Sequence, residues 1–119
     1  MPERHKPARP EFLQRRFERE RLEAIAEADA LITVRKFNAW LSRGRAVWFW
    51  PKIGGALTAK HPWVVILCDS CGIIVDLDLR VKPRDPEASI RIVLRDVHCP
   101  RCNGYGRPRI IGLARHPSI

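Results

Sequence analysis

Four cysteines in two pairs are the residues of this 119-residue chain with the most definite chemistry. They read Cys68-Asp-Ser-Cys71 and, 27 residues later, Cys99-Pro-Arg-Cys102. A two-residue gap lets both sulfurs of a pair reach one ion, while backbone N–H groups after the first cysteine turn inward to hydrogen-bond them. Two pairs supply four thiolates, the tetrahedral set that zinc takes at Zn–S distances of about 2.3 Å. Gly72 relieves the turn after Cys71, and Pro100 and Gly104 do the same for the second pair. Cys68, Cys71, Cys99 and Cys102 are therefore the expected metal ligands, and zinc the expected cofactor. Four thiolates close the coordination sphere. Such a zinc polarises no water, so the expected role is structural and no catalytic residue is assigned.

Other chemistries use the same residues. An iron–sulfur centre fits four cysteines by count, and metal analysis separates it from zinc. A thioredoxin-like dithiol needs its CxxC at the start of a helix, whereas CDSCG feeds into IIVDLDL, a strand pattern. Structural disulfides require an oxidising compartment. The N-terminal MPERHKPARP has no apolar leader core, and the longest apolar run, Trp63 to Cys68, is too short to span a bilayer. The expectation is a cytoplasmic protein without a membrane partner, in which paired cysteines bind metal. His61 and His98 lie near the pairs and read as packing or surface histidines.

The formal charge of +9 is segregated along the chain. Residues 1–30 hold 7 basic and 7 acidic groups, and residues 64–98 hold 5 and 6. The excess lies in 31–63, with 6 basic and no acidic groups, and in 99–119, with 4 and none. One-signed fields attract polyanions. All four tryptophans, Trp40, Trp48, Trp50 and Trp63, fall in the first acid-free segment with Phe37 and Phe49. Aromatic faces among cations suit single-stranded nucleic acid, but a small domain also needs such side chains inside, and at least three of these belong to the core. The candidate nucleic-acid contacts are Arg43, Arg45, Lys52, Arg101, Arg107 and Arg109. The last three have a second reading, since four thiolates on Zn(II) leave a charge of about −2 for nearby arginines to offset.

The elements that must position these groups follow from periodicity. Residues 1–9 read as a disordered arm. Pro10 suits a first helical turn, and Leu13, Phe17, Ala24, Ile25, Ala28 and Leu31 recur at helical spacing, opposite i,i+4 charge pairs such as Arg16/Glu20. Val34, Phe37, Trp40 and Leu41 continue the stripe to a stop at Gly44, in one helix or two with a break near Thr33. AVWFWP reads as a short strand, IGGALTA as a turn or short helix, and HPWVVILC as a buried strand entering the first pair. IIVDLDLRV alternates, with Val75, Leu77, Leu79 and Val81 on one face. DPEASIRIVLRDV fits either period, but Asp85, Pro86 and Glu87 form a helix start, so a helix near 86–96 is expected. RPRIIGLA reads as a final strand. The fold class is α+β, with a helical segment over 10–44 and a zinc-ribbon-like domain of short antiparallel strands over 45–119.

Strand, knuckle and second knuckle together resemble a zinc ribbon, which implies a fold and no activity. CPRCNGYG is similar to the CxxCxGxG unit of the cysteine-rich region in J-domain co-chaperones, over eight residues only, and the first pair lacks the GxG. WFWPKIGGAL, HPWVVILCDSC, DLDLR and the second pair resemble a group of short bacterial proteins, which implies a shared ribbon-like fold. The expected function is that of a structural-zinc nucleic-acid-binding accessory factor, with DNA or RNA as partner. The alternatives are an adaptor that docks another protein through the N-terminal helix and a thiol redox or metal sensor. No small-molecule substrate is indicated.

Overall fold

The computed structural model describes residues 10–45, 47–102 and 106–118, so the expected disordered arm at 1–9 and the expected turn residue Gly104 lie outside them. Helix α1 runs unbroken over Pro10–Ser42, 33 residues and about 50 Å of rise. The alternative break near Thr33 does not occur, and the Thr33 hydroxyl donates back to the Asp29 carbonyl (3.3 Å) without interrupting the helix. The stop is Gly44 at φ +66°. There the Gly44 N–H reaches the Leu41 carbonyl and the Arg45 N–H the Trp40 carbonyl (3.1 and 3.3 Å), the paired bonds of a Schellman ending.

Only the last third of α1 is packed. Val34 and Phe37 are fully buried and Ala30, Leu31 and Leu41 pack beside them, whereas residues 10–26 are exposed throughout. The chain returns as an extended segment over 47–51, then as helix α2 (Ile53–Thr58). AVWFWP was expected to be a strand; Ala46 lies outside the described residues, 47–51 pair into no ladder, and a lone bridge joins Lys52 to Ser89. Two glycines make α2 a weak helix by propensity. Tertiary bonds hold it instead, from the Ile53 N–H to the Ala88 carbonyl (2.9 Å) and from the Gly54 N–H to the Pro86 carbonyl (2.8 Å).

Three strands, β1 (Trp63–Cys68), β2 (Ile74–Asp78) and β3 (Pro108–Ala114), form an antiparallel sheet in the order β2-β1-β3. In β1, Val64, Ile66 and Cys68 point into the interior while Trp63, Val65 and Leu67 are half-buried. The β1–β3 register shifts between Val65 and Ile66, which face Gly112 and Ile110, so Ile111 is the extra residue of a bulge. The outer edge of β3 is closed by a side chain. Asn38 of α1 donates from Nδ2 to the Leu113 carbonyl (2.9 Å) and accepts the Leu113 N–H at Oδ1 (2.8 Å), as a neighbouring strand would.

Two expectations change here. Val81 does not share the buried face of Leu77 and Leu79 but is 81% exposed. The strand ends at Asp78, whose carboxylate takes the Arg80 N–H and guanidinium (2.9, 2.9 and 3.0 Å) and turns the chain outward. The helix expected near 86–96 is a 3₁₀ helix over Ile90–Asp96, capped by Ser89, whose hydroxyl accepts the Arg91 N–H (3.2 Å). Pro86 and Ala88 cannot begin a helix because their carbonyls already serve the N–H groups that open α2. Ile90 and Val93 still reach the core, joining Phe37, Ile53, Val64, Ile66, Leu79 and Ile110, each nearly or fully buried. A fully buried side chain of this kind contributes about 1.5–3 kcal/mol.

Candidate metal centre

The cysteines lie at one end of the sheet. Cys68 is the last residue of β1, and its N–H bonds the Ile73 carbonyl (2.9 Å) while its carbonyl accepts the Gly72 N–H (2.7 Å), closing the first CxxC turn. Gly72 sits at φ +76°, the left-handed conformation that this turn demands. The second pair follows the 3₁₀ helix, and in it the Cys102 N–H approaches the Cys99 sulfur (3.4 Å). Backbone joins the two turns directly, since the Asp69 N–H bonds the Arg107 carbonyl (3.0 Å).

All four sulfurs lie within 4.8 Å of one another. Cys68 Sγ is 3.8 Å from Cys102 Sγ and Cys71 Sγ is 3.4 Å from Cys99 Sγ. A tetrahedron of sulfurs at about 2.3 Å from a central zinc has edges of about 3.8 Å, so the cluster has the dimensions of a four-thiolate metal site. The two sulfurs that open each pair are shielded, with Cys68 and Cys99 only 3% and 4% exposed, and those that close it are half-buried. The four cysteines read from their spacing are thus brought together and placed to coordinate one metal ion. His61 instead has its Nδ1 on the Ala59 carbonyl (2.7 Å), and His98 is exposed.

Electrostatics favour one thiolate among the four and oppose the next. Burial pushes the Cys68 thiol up, but the backbone N–H groups of Cys71 and Ser70, with the Cys99 and Cys71 thiols, outweigh it and bring the group to about 6. The Cys71 thiol contact, burial and the other two thiols then drive Cys102 to about 12. One thiolate forms readily, and further negative charge in so small a volume needs a cation to neutralise it.

Gly106 is a site residue that the spacing of the cysteines did not reveal. A Cβ built there would stand 2.7 Å from Cys99 Cβ and 2.8 Å from Cys68 Sγ, so a methyl group would enter the sulfur cluster. Nothing in CNGYGRPR distinguishes this glycine from Gly104, because the close approach arises only when the returning chain crosses the first pair.

The six basic residues singled out in the sequence divide. Arg109 donates Nε to Asp69 (2.7 Å) and Lys52 is bound to Glu87 (2.6 Å), so both have carboxylate partners. Arg101 and Arg107 are exposed beside the cysteine turns with no carboxylate partner among the described residues. Arg43 is exposed at the end of α1, and Arg45 lies over the Trp40 ring, 5.5 Å from its centroid.

Two further arginines lie beside Trp50. Arg91, on the 3₁₀ helix, stacks on Trp50 at 5.1 Å, and both Arg91 and Arg95 line a hollow of about 680 Å³ with Trp50, Ser89, Ile92 and Leu94. Arg91 and Arg95 occupy the solvent side of a stretch whose Ile90 and Val93 are buried, so the pattern that found the core could have found them too. Phe37, Phe49 and Trp50 form the inner part of the aromatic cluster, with Phe37 fully buried and its ring 6.3 and 5.3 Å from the other two. Trp48 stands outside at 78% exposure, held edge-on against Phe49 at 5.0 Å.

No helix among the described residues is long and apolar enough to cross a membrane. Comparison of the chain with family models, with curated proteins and with solved structures found no match, so its likeness to zinc ribbons rests on the cysteine pairs and the sheet that carries them.

Proposed function

We propose that the protein is a structural-zinc module that binds single-stranded nucleic acid through the surface formed by Trp40, Arg45, Trp48, Trp50, Arg91 and Arg95. The metal reading rests on the sulfur cluster, whose S···S distances of 3.4 and 3.8 Å suit tetrahedral thiolate coordination. Its two knuckles hold β1 and β3 in register, and with them the 3₁₀ helix that precedes Cys99. The four residues would supply all the ligands, leaving the ion to cross-link and not to activate substrate.

One observation carries the nucleic-acid reading. Trp48 presents an indole at 78% exposure, and the guanidiniums of Arg45 and Arg91 lie over Trp40 and Trp50 with no carboxylate partner among the described residues. Burying Trp48 would release ordered water from a large apolar face, and a base supplies a flat partner of similar size while its phosphates meet the arginines. Duplex grooves offer no such unpaired faces, so the surface favours single strands.

Two measurements test this. Elemental analysis of protein purified without chelator is expected to give one zinc per chain; iron in its place would overturn the zinc assignment. A fluorescently labelled single-stranded oligonucleotide is expected to bind at low salt, with affinity falling steeply as salt rises. Replacing Trp48 with Ala should weaken binding by about 1–3 kcal/mol while zinc content stays unchanged. Absence of any retardation at low salt would discard the nucleic-acid reading and leave the metal assignment standing.

A further inference from the structure

Among the described residues, the first half of α1 is the largest feature without a structural partner. Residues 10–26 are exposed throughout, and Phe12, Leu13, Phe17, Leu22 and Ile25 are 38–66% exposed along a helix that gives the molecule a 76 Å long axis. An isolated helical stretch of this length is marginal in water, and its stability ordinarily comes from packing of an apolar face. Of these exposed side chains, Leu13 and Phe17 share one stripe with Ala24, Ala28 and Leu31 at helical spacing, and the occupant of that stripe has to be inferred from the charges and the shape of the helix.

Charge excludes two occupants. Over residues 10–34 the helix carries four arginines against six carboxylates, so it offers no cationic field to a nucleic acid or to an anionic lipid surface. The distribution is informative as well. Residues 15–21 hold Arg15, Arg16, Arg19 and Arg21 with two acids, whereas 22–34 hold Glu23, Glu27 and Asp29 and no base. A helix basic in one half and acidic in the other complements itself when the partner runs in the opposite direction.

We propose that this arm pairs antiparallel with the arm of a second copy of the chain, about a two-fold axis that passes between Arg21 and Leu22. In that alignment Phe17 faces the interval between Ala24 and Ala28 of the other copy, and Leu13 the interval between Ala28 and Leu31. Large side chains thus meet small ones along one stripe, the same stripe that periodicity marks in the sequence. Arg16 and Glu27 lie on one flank of this stripe, and the two-fold places each opposite the other. Arg16 already holds Glu20 of its own helix (3.2 Å), so it would bridge Glu20 and the second copy's Glu27. The two-fold makes the contact isologous and closed, giving a dimer and not a filament. The packed domains sit at the two ends of the overlap, since α1 enters its own core from Ala30 onward, opposite Leu13 of the other copy.

Sedimentation equilibrium of the zinc-loaded full chain tests the proposal. A species of twice the 13.7 kDa chain mass is expected, dissociating on dilution. Phe17→Asp, at a position 65% exposed in the single chain, should raise the dissociation constant about tenfold or more without changing zinc content or helix content at low concentration. Arg16→Glu and Glu27→Arg should each weaken the dimer, and the double substitution should recover most of the loss relative to Arg16→Glu. A monomer at the highest soluble concentration would overturn the proposal. So would a dimer indifferent to Phe17→Asp, or a double variant no better than the singles, which would place the contact elsewhere or in another direction.

Discussion

Gly106 sits so close to Cys99 and Cys68 that the 2.7 and 2.8 Å separations from a built Cβ leave no room for a methyl group. Gly106→Ala should therefore displace a ligand-bearing turn and lower zinc affinity by about tenfold or more, a magnitude usual for residues that orient metal ligands. Competition with a chromogenic chelator measures it, and an unchanged affinity would show that the turn can shift without cost. The contrast with the cysteines explains what single residues disclose. A CxxC unit states its chemistry locally, because two thiolates and a short turn are enough to define half a site. Gly106 and Asn38 act through contacts between distant parts of the chain, and an Asn on a helix or a Gly after a knuckle has many ordinary uses. Arg109 belongs with these, since only the fold brings Asp69 to it and answers part of its charge.

At the scale of elements, periodicity found the helix over 10–42 and the three strands, left α2 open as a turn or short helix, and failed where tertiary bonds overrode local preference. The start signals at Asp85 and Pro86 are real, and the Asp85 carboxylate does accept the Glu87 N–H (2.9 Å), but the result is a turn because the neighbouring carbonyls serve α2. Alternation past Asp78 likewise yields to the Arg80 contact. The loop after β2 is then tied to the 3₁₀ helix by Asp96, which accepts Arg84 (3.0 Å) and lies 3.6 Å from Lys82. The Arg84 hydrogen bond, followed by Lys82, holds the Asp96 carboxyl below its ordinary range. A lowered carboxylate pKa stabilises the fold above the unfolded value and loses that contribution as pH falls through the folded value. The melting temperature of the parent protein should accordingly exceed that of Asp96→Asn near neutrality, and the difference should shrink as added salt screens the pairs with Arg84 and Lys82. A difference independent of salt would assign the effect to packing.

For the whole molecule, the core is small and one-sided. A dozen buried apolar residues join the sheet to α2, the 3₁₀ helix and the last turns of α1, and Cys68 and Cys99 are buried at its end. Four thiols clustered there gain little from one another without a cation, whereas a structural zinc is worth about 10–16 kcal/mol in small fingers. Chelation is expected to lower the melting temperature and broaden the transition, and an unchanged transition in metal-free protein would show that the apolar core suffices. Acid should have the same effect as chelation, since protons compete for the thiolates as pH falls.

Strand β3 has one end at the sulfur cluster, where Pro108 faces Cys68, and the other in the grip of Asn38, which holds Leu113 by both its backbone groups. Seven residues thus link the sulfur cluster to the helix that bears the exposed arm. Loss of the metal frees the first end of this tether, and the amide clamp at the second then holds a strand with no fixed register. Hydrogen–deuterium exchange should report this at a distance: on metal removal, amides of residues 34–41 should exchange faster although none lies beside a cysteine. The arm's anchorage, and any assembly that depends on its direction, would then respond to zinc supply without a ligand ever touching the helix.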